Sequence, residues 1–205
     1  ASMSTNIQSA LASCKRFFDF LDAKNEEEDK ATEHFGEDGK KFEGKVAFEN
    51  VYFSYLPEDP LIEDLNFAAS PGQMIAIVGP TGAGKTTIVN LLMRFYEIQK
   101  GEIKVSGINT KNVSRRELRS HFGMVLQDTW LFEGTVRENL VYNMENVPDE
   151  ALVRVCKACG IYRFVRSLPQ GFDTVLSEST TISAGQKQLL TIARAMLQDA
   201  PMLIL

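Results

Sequence analysis

Apolar residues recur every three or four positions near the start of the chain, at Ile7, Ala10, Leu11, Cys14, Phe17, Phe18 and Leu21. That spacing lines one face of a helix and predicts an amphipathic helix over residues 4–23. The pattern stops at Lys24. Residues 24–44 carry Glu26-Glu27-Glu28-Asp29 and several glycines, and read as a solvated acidic linker. Beyond it, Val46, Phe48, Val51, Phe53 and Tyr55 give the broken alternation of a strand. Pro57 and Pro60 interrupt it, Leu61 to Phe67 resume it, and Ser70-Pro71-Gly72 is a turn. Met74-Ile75-Ala76-Ile77-Val78 is apolar throughout, which predicts a strand covered on both faces of a sheet.

Farther along, the pattern predicts a helix over Thr86 to Tyr96, strands at Glu102 to Val105 and Gly123 to Leu126, and helix from Pro148 to Leu168. A last helix over Ala184 to Gln198 places Leu189, Ile192, Ala193 and Met196 on one face, before a buried strand at Met202 to Leu205. The alternation of strand, loop and helix argues for an α/β layered fold. The chain divides into a helix (1–23), a linker (24–44) and a compact domain (45–205).

Composition narrows the function. Hydrophobic content of 44% and charged content of 24% are ordinary for a globular protein. With a net charge of −5 and no dense Lys/Arg block, nucleic acid is a disfavoured partner. No apolar run approaches the ~20 residues of a membrane span, and no signal segment opens the chain, so any membrane connection is expected from another segment or partner. Three cysteines, an odd count, argue for a reducing compartment. Cys156 and Cys159 form a CxxC without a second Cys/His pair, and their three-residue step on a helix reads as core packing.

The chemistry enters at Gly79-Pro80-Thr81-Gly82-Ala83-Gly84-Lys85-Thr86, which fits G-x-x-x-x-G-K-[ST]. Glycines let the backbone curl so that successive N–H groups point at phosphate oxygens, and the following helix offers its positive end. Lys85 adds a full charge near the β/γ phosphates, and the Thr86 hydroxyl can bind magnesium. Chance produces the pattern in roughly one chain per hundred of this length, and here an apolar segment precedes it and a helical pattern follows. The loop predicts binding of ATP with Mg2+. No N-K-x-D guanine-reading motif is present.

A second motif, Ile182-Ser183-Ala184-Gly185-Gln186, opens the last helix. Ser183 reads either as a plain N-cap or as part of another anion-ready helix terminus. The pentapeptide resembles L-S-G-G-Q, the signature of the ABC transporter ATPases, with Ile for Leu and Ala for the first Gly. Val125-Leu126-Gln127-Asp128 looks like their Q-loop, and Phe53-Ser54-Tyr55 resembles the segment supplying their aromatic A-loop residue. The resemblance covers residues 45 to 205. The stretch from Trp130 to Asn139, the loop Leu168 to Thr174, and Ser177-Glu178 resemble the exporter branch. Cys14 to Asp22 resembles the connector that leaves the last transmembrane helix of an exporter.

The resemblance implies a P-loop NTPase core of the ABC type with an antiparallel β subdomain and a helical subdomain. Tyr55 would stack on adenine, or else serve as a strand-end core aromatic. Backbone N–H groups of the loop through Thr87 would hold the phosphates. Lys85 would stabilise the transition state, and Thr86 with Gln127 would ligate magnesium. Gln127 would also position the attacking water, unless it is a plain surface glutamine. Ser183, Ala184, Gly185 and Gln186 would cover the γ-phosphate of a partner, so two domains would pair head to tail around two ATP. A transmembrane domain would be the other partner, at the cytoplasmic face of the cell membrane. Trp130-Leu131-Phe132 would either meet that domain or pack internally. The family places Asp-Glu after a strand like Met202 to Leu205. This implies that the chain is truncated before these carboxylates and is itself inactive. A soluble ABC ATPase unlinked to transport, or a catalytically silent nucleotide-binding module, are the competing expectations.

Overall fold

The computed structural model describes residues 2–26, 28–36, 42–125, 129–177 and 182–205, with side chains described from Asn6 onward. Helix α1 (Ser2–Leu21) forms where the three/four spacing predicts it. Its apolar face stays uncovered, with Ile7, Leu11, Phe17, Phe18 and Phe20 all more than half exposed. The linker behind it is exposed, as its charge requires, but it is also strapped to the domain. The Asp29 carboxylate accepts from the backbone N–H and the guanidinium of Arg115, at 2.8 and 3.0 Å. The backbone amides of Thr32 and Glu33 donate to the Asn112 carbonyl. His34 Nδ1 lies 2.7 Å from Glu117 Oε2, the Phe35 amide donates to Glu117 Oε1 at 2.7 Å, and Phe42 stacks on His121. The acidic run therefore has basic partners that its own composition could not reveal.

Strands β1 (Val46–Phe53), β2 (Ile62–Ala69), β3 (Lys100–Val105) and β4 (Ile108–Asn109) form an antiparallel sheet of order β2-β1-β3-β4. Its inner face (Val46, Phe48, Val51, Phe53, Ile103, Val105) is fully buried. Over it packs α2 (Lys85–Leu92), which ends four residues before the predicted Tyr96. The reason is Arg94, whose backbone turns left-handed (φ 51°). Its guanidinium, 9% exposed, donates to the Thr110 and Val113 carbonyls at 2.8 Å and pairs with Glu97. A buried charge needs all of these partners. The helix yields to them.

Helix α3 (Arg115–Ser120) is capped by Ser114 and leads to β5 (Phe122–Met124). A second core is helical. A short pair of β6 (Gly134–Thr135) and β7 (Val175–Leu176) brackets α4 (Val136–Val141), α5 (Asp149–Ala158) and α6 (Tyr162–Ser167). The single helical pattern expected over Pro148 to Leu168 breaks at Gly160, where φ is +75°. Against these helices lies α7 (Ala184–Leu197), followed by β8 (Met202–Ile204), which pairs in parallel with β5. Leu190 and Ala193 carry the buried face of α7, whereas Met196, on the same predicted face as Ala193, is 40% exposed.

Cys156 is fully buried in this second core and Cys159 packs against it, so the CxxC is core packing. Burial pushes the Cys156 thiol up to about 12 and the Cys159 thiol up as well. Among the described residues no group of His, Cys, Asp and Glu could hold a metal ion, and no helix is long and apolar enough to cross a membrane.

The predicted strand Met74 to Val78 is not observed. Among the described residues no strand pairs with it, and Met74 and Val78 are 95% and 87% exposed. Five apolar residues express a preference for burial, but a strand exists only through the ladder that satisfies its N–H and C=O groups.

Candidate nucleotide site

The loop Gly79 to Gly84 leaves the Met74–Val78 segment and enters α2 through residues that need glycine. Gly82 and Gly84 have φ of +85° and +78°, the left-handed region in which a Cβ is strained. Between them the Ala83 amide donates to the Pro80 carbonyl and closes a tight turn. Gly84 is the residue preceding the first turn of α2, and no side chain caps that terminus, so its N–H groups keep their capacity for an external anion. Lys85 folds back over the loop, its Nζ donating to the Gly79 and Pro80 carbonyls at 3.0 and 2.8 Å. A full positive charge thus rests on the concave backbone. Thr81, Gly82, Ala83 and Thr86 are exposed, while Thr87 is buried at 6% exposure.

Tyr55 lies two residues beyond β1 and is 48% exposed. Its Oη is 3.2 Å from Thr87 Oγ1, so the aromatic predicted to meet a base touches the helix predicted to meet phosphates. The two features are 32 residues apart in sequence. The ring also makes edge contacts with Phe53 and Tyr96, at centroid distances of 4.9 and 5.0 Å. Sequence reasoning gave Tyr96 no role beyond the end of the predicted helix, whereas α2 stops at Leu92 and leaves Tyr96 in the loop beyond it. Gln127, the other predicted magnesium ligand, lies outside the described residues, as do Leu126 and Asp128 of the same motif and Glu178.

Ser183 caps α7 with both bonds of a capping box. Its Oγ accepts from the Gln186 amide at 3.2 Å, and Gln186 Oε1 accepts from the Ser183 amide at 2.9 Å. The cap is real, and it leaves the hydroxyl hydrogen available to a further acceptor. Ser183, Ala184 and Gly185 are exposed, and nothing lies within 4 Å of the position a Gly185 Cβ would take. The other end of α7 is anchored to the helical unit: Arg194, in its last turn, donates from Nε to the Asn139 carbonyl at 2.7 Å, and Asn139, 1% exposed, donates to the Phe132 and Thr135 carbonyls. Of the apolar trio, Leu131 packs on the helical core and Trp130 is 63% exposed.

The helix that follows the phosphate loop packs in the sheet core, and the helix that Ser183 caps packs in the helical core. A glycine loop feeding a helix, an antiparallel sheet core and a separate helical core together define a P-loop nucleotide-binding α/β fold of the ABC type. The ABC transporter family model matches residues 62–205, and the chain belongs to that family. The chain is 48% identical over its whole length to a Mycobacterium bovis protein named fatty acid ABC transporter ATP-binding/permease protein, and covers 32% of it. It is 40% identical over 99% of its length to the ATP-dependent lipid A-core flippase of Desulfotalea psychrophila, covering 35% of that protein. A solved structure of a bacterial Atm1-family ABC exporter with ATP bound matches 98% of the chain, and the chain covers 35% of it, at a TM-score of 0.81 and 32% identity. The chain spans about a third of the length of the curated relatives it matches.

Proposed function

We propose that the chain is part of the ATP-binding and ATP-hydrolysing motor of an ABC exporter, with hydrolysis a property of the intact protein, working at the cytoplasmic face of the cell membrane with a transmembrane domain. The observation that carries this reading is the Lys85 ammonium resting on the Gly79 and Pro80 carbonyls, beside two left-handed glycines at an uncapped helix terminus. On phosphate binding, Lys85 exchanges those carbonyls for β/γ oxygens, and the amides from Gly82 to Thr87 hold the phosphate tail. Tyr55 stacks on the adenine.

The donor set fits magnesium that arrives with its nucleotide. Thr86 presents one hard oxygen at the loop, and Mg2+ keeps waters and phosphate oxygens for most of its coordination. Thr86 and Gln127 would hold it, and when bound it neutralises charge on the β/γ phosphates. Gln127 also orients the attacking water.

Ser183, Ala184, Gly185 and Gln186 act on the nucleotide of a second copy of the domain. Their exposed terminus, on a helix that packs in a different core from the helix after the phosphate loop, supports pairing in trans over pairing within one chain. Two domains close head to tail over two ATP, and hydrolysis removes the γ-phosphate that bridges them. The force is the higher affinity of ATP for the closed pair.

The test is phosphate release by the full-length protein with Mg-ATP. Wild type turns over, and Lys85→Ala abolishes turnover and weakens ATP binding at least tenfold, about the value of one charge-assisted contact. Saturable binding without phosphate release by wild type would instead identify a silent nucleotide-binding module.

A further inference from the structure

Tyr55 sits in a loop, and a loop aromatic that must also find its base would lose side-chain and backbone freedom on stacking. The structure removes that freedom beforehand through groups that neither the phosphate loop nor the signature uses. The Gln99 amide donates from its backbone to the Tyr52 carbonyl at 3.1 Å. Its side chain then takes over both backbone groups of Ser54: the Ser54 N–H donates to Gln99 Oε1 at 3.0 Å, and Gln99 Nε2 donates to the Ser54 carbonyl at 2.8 Å. A side-chain amide thus continues the sheet ladder by one rung, up to the residue before Tyr55. Tyr96 then fixes the ring, meeting it at 5.0 Å with the planes 88° apart. Such edge geometry is the attractive one for aromatic pairs. At the far end, the Tyr55 hydroxyl is tied to Thr87, the third residue of α2.

We propose that Tyr96 and Gln99 are positioning residues of the nucleotide site, holding the Tyr55 ring as a preformed platform for a nucleobase whose phosphate tail enters α2. The inference deepens the proposed function and rests on it. It assigns Gln99 to the backbone of the platform and Tyr96 to its ring plane, while the phosphates remain with the loop.

The experiment compares ATP with inorganic tripolyphosphate, binding each to the full-length protein by calorimetry. Complete loss of stacking, about 1–3 kcal/mol per base, corresponds to roughly 5- to 150-fold in affinity; a misplaced ring loses part of it. Tyr96→Ala and Gln99→Ala should each weaken ATP about fivefold and leave tripolyphosphate within about twofold, while Tyr96→Phe, which keeps the ring, stays near wild type. Equal losses for both ligands, or no loss for ATP in either variant, overturn the positioning role and leave the phosphate-loop reading standing. Wild type that binds tripolyphosphate as tightly as ATP overturns the platform alone. Wild type that binds neither overturns the proposed function, and the platform with it.

Discussion

Ser183 has two roles that one substitution series separates. Its Oγ accepts from the Gln186 amide at 3.2 Å, while the reciprocal bond from the Ser183 amide to Gln186 Oε1 does not involve its side chain. Ser183→Ala therefore removes one of the two box bonds and should cost about 1 kcal/mol of stability, the usual value of a lost N-cap. Ser183→Asp restores an acceptor and adds a negative charge favourable at a helix N-terminus, so its stability should return to within a few tenths of wild type. The proposed trans contact responds in the opposite sense. A carboxylate facing a γ-phosphate at about 5 Å, with an effective dielectric constant of ~20, is repelled by about 3 kcal/mol per unit charge. That is more than a hundredfold in affinity for the closed pair. Thermal unfolding and phosphate release of the full-length protein are to be measured on the same samples. Ser183→Asp should unfold like wild type and hydrolyse ATP at less than a hundredth of its rate. A stable Ser183→Asp variant with wild-type turnover would show that the residue is a cap and nothing more.

Three further outcomes follow from the packing. Arg94→Met leaves the buried Thr110 and Val113 carbonyls without the guanidinium, and should cost about 2–4 kcal/mol in a denaturant titration, at about 1–3 kcal/mol for each unsatisfied acceptor; a loss under 1 kcal/mol would refute the role given to it. At Glu117, burial opposes ionisation, but the His34 hydrogen bond, the Phe35 amide and the nearby histidines outweigh it and hold the carboxyl below its ordinary 4.5. Its contribution to the linker strap is thus present above that value and lost as pH falls through the lowered one, so hydrogen exchange at the Phe35 amide should speed up there relative to the intrinsic rate. Glu117→Gln should show the same loosening at neutral pH, and an unchanged protection factor would contradict it. Iodoacetamide at pH 8 should modify the exposed Cys14 and spare Cys156, whose thiol burial has pushed up to about 12, as peptide mapping would report.

The local features of this protein were legible in its sequence because their physics is local. The glycines, Lys85 and Thr86 must be consecutive for a backbone to wrap an anion, and the cap at Ser183 needs only a partner three residues on. The strands β1 and β2 were readable as strands, since alternation and the intervening prolines lie within a short stretch, while their antiparallel pairing was implied only by the family resemblance. What needed the tertiary structure is held together over long separations. The Tyr55–Thr87 contact spans 32 residues, the Ser54–Gln99 rung 45, and the Phe35–Glu117 strap 82. No periodicity encodes such pairs, because each depends on where two separately determined elements come to rest. The same reason explains why two apolar runs read as buried strands are not buried: Leu203 and Leu205, in and just beyond β8, are 49% and 79% exposed, and Met74 to Val78 forms no strand. Met74 to Val78 has the composition of a buried strand, but hydrogen-bonded pairing belongs to the sheet and not to the segment.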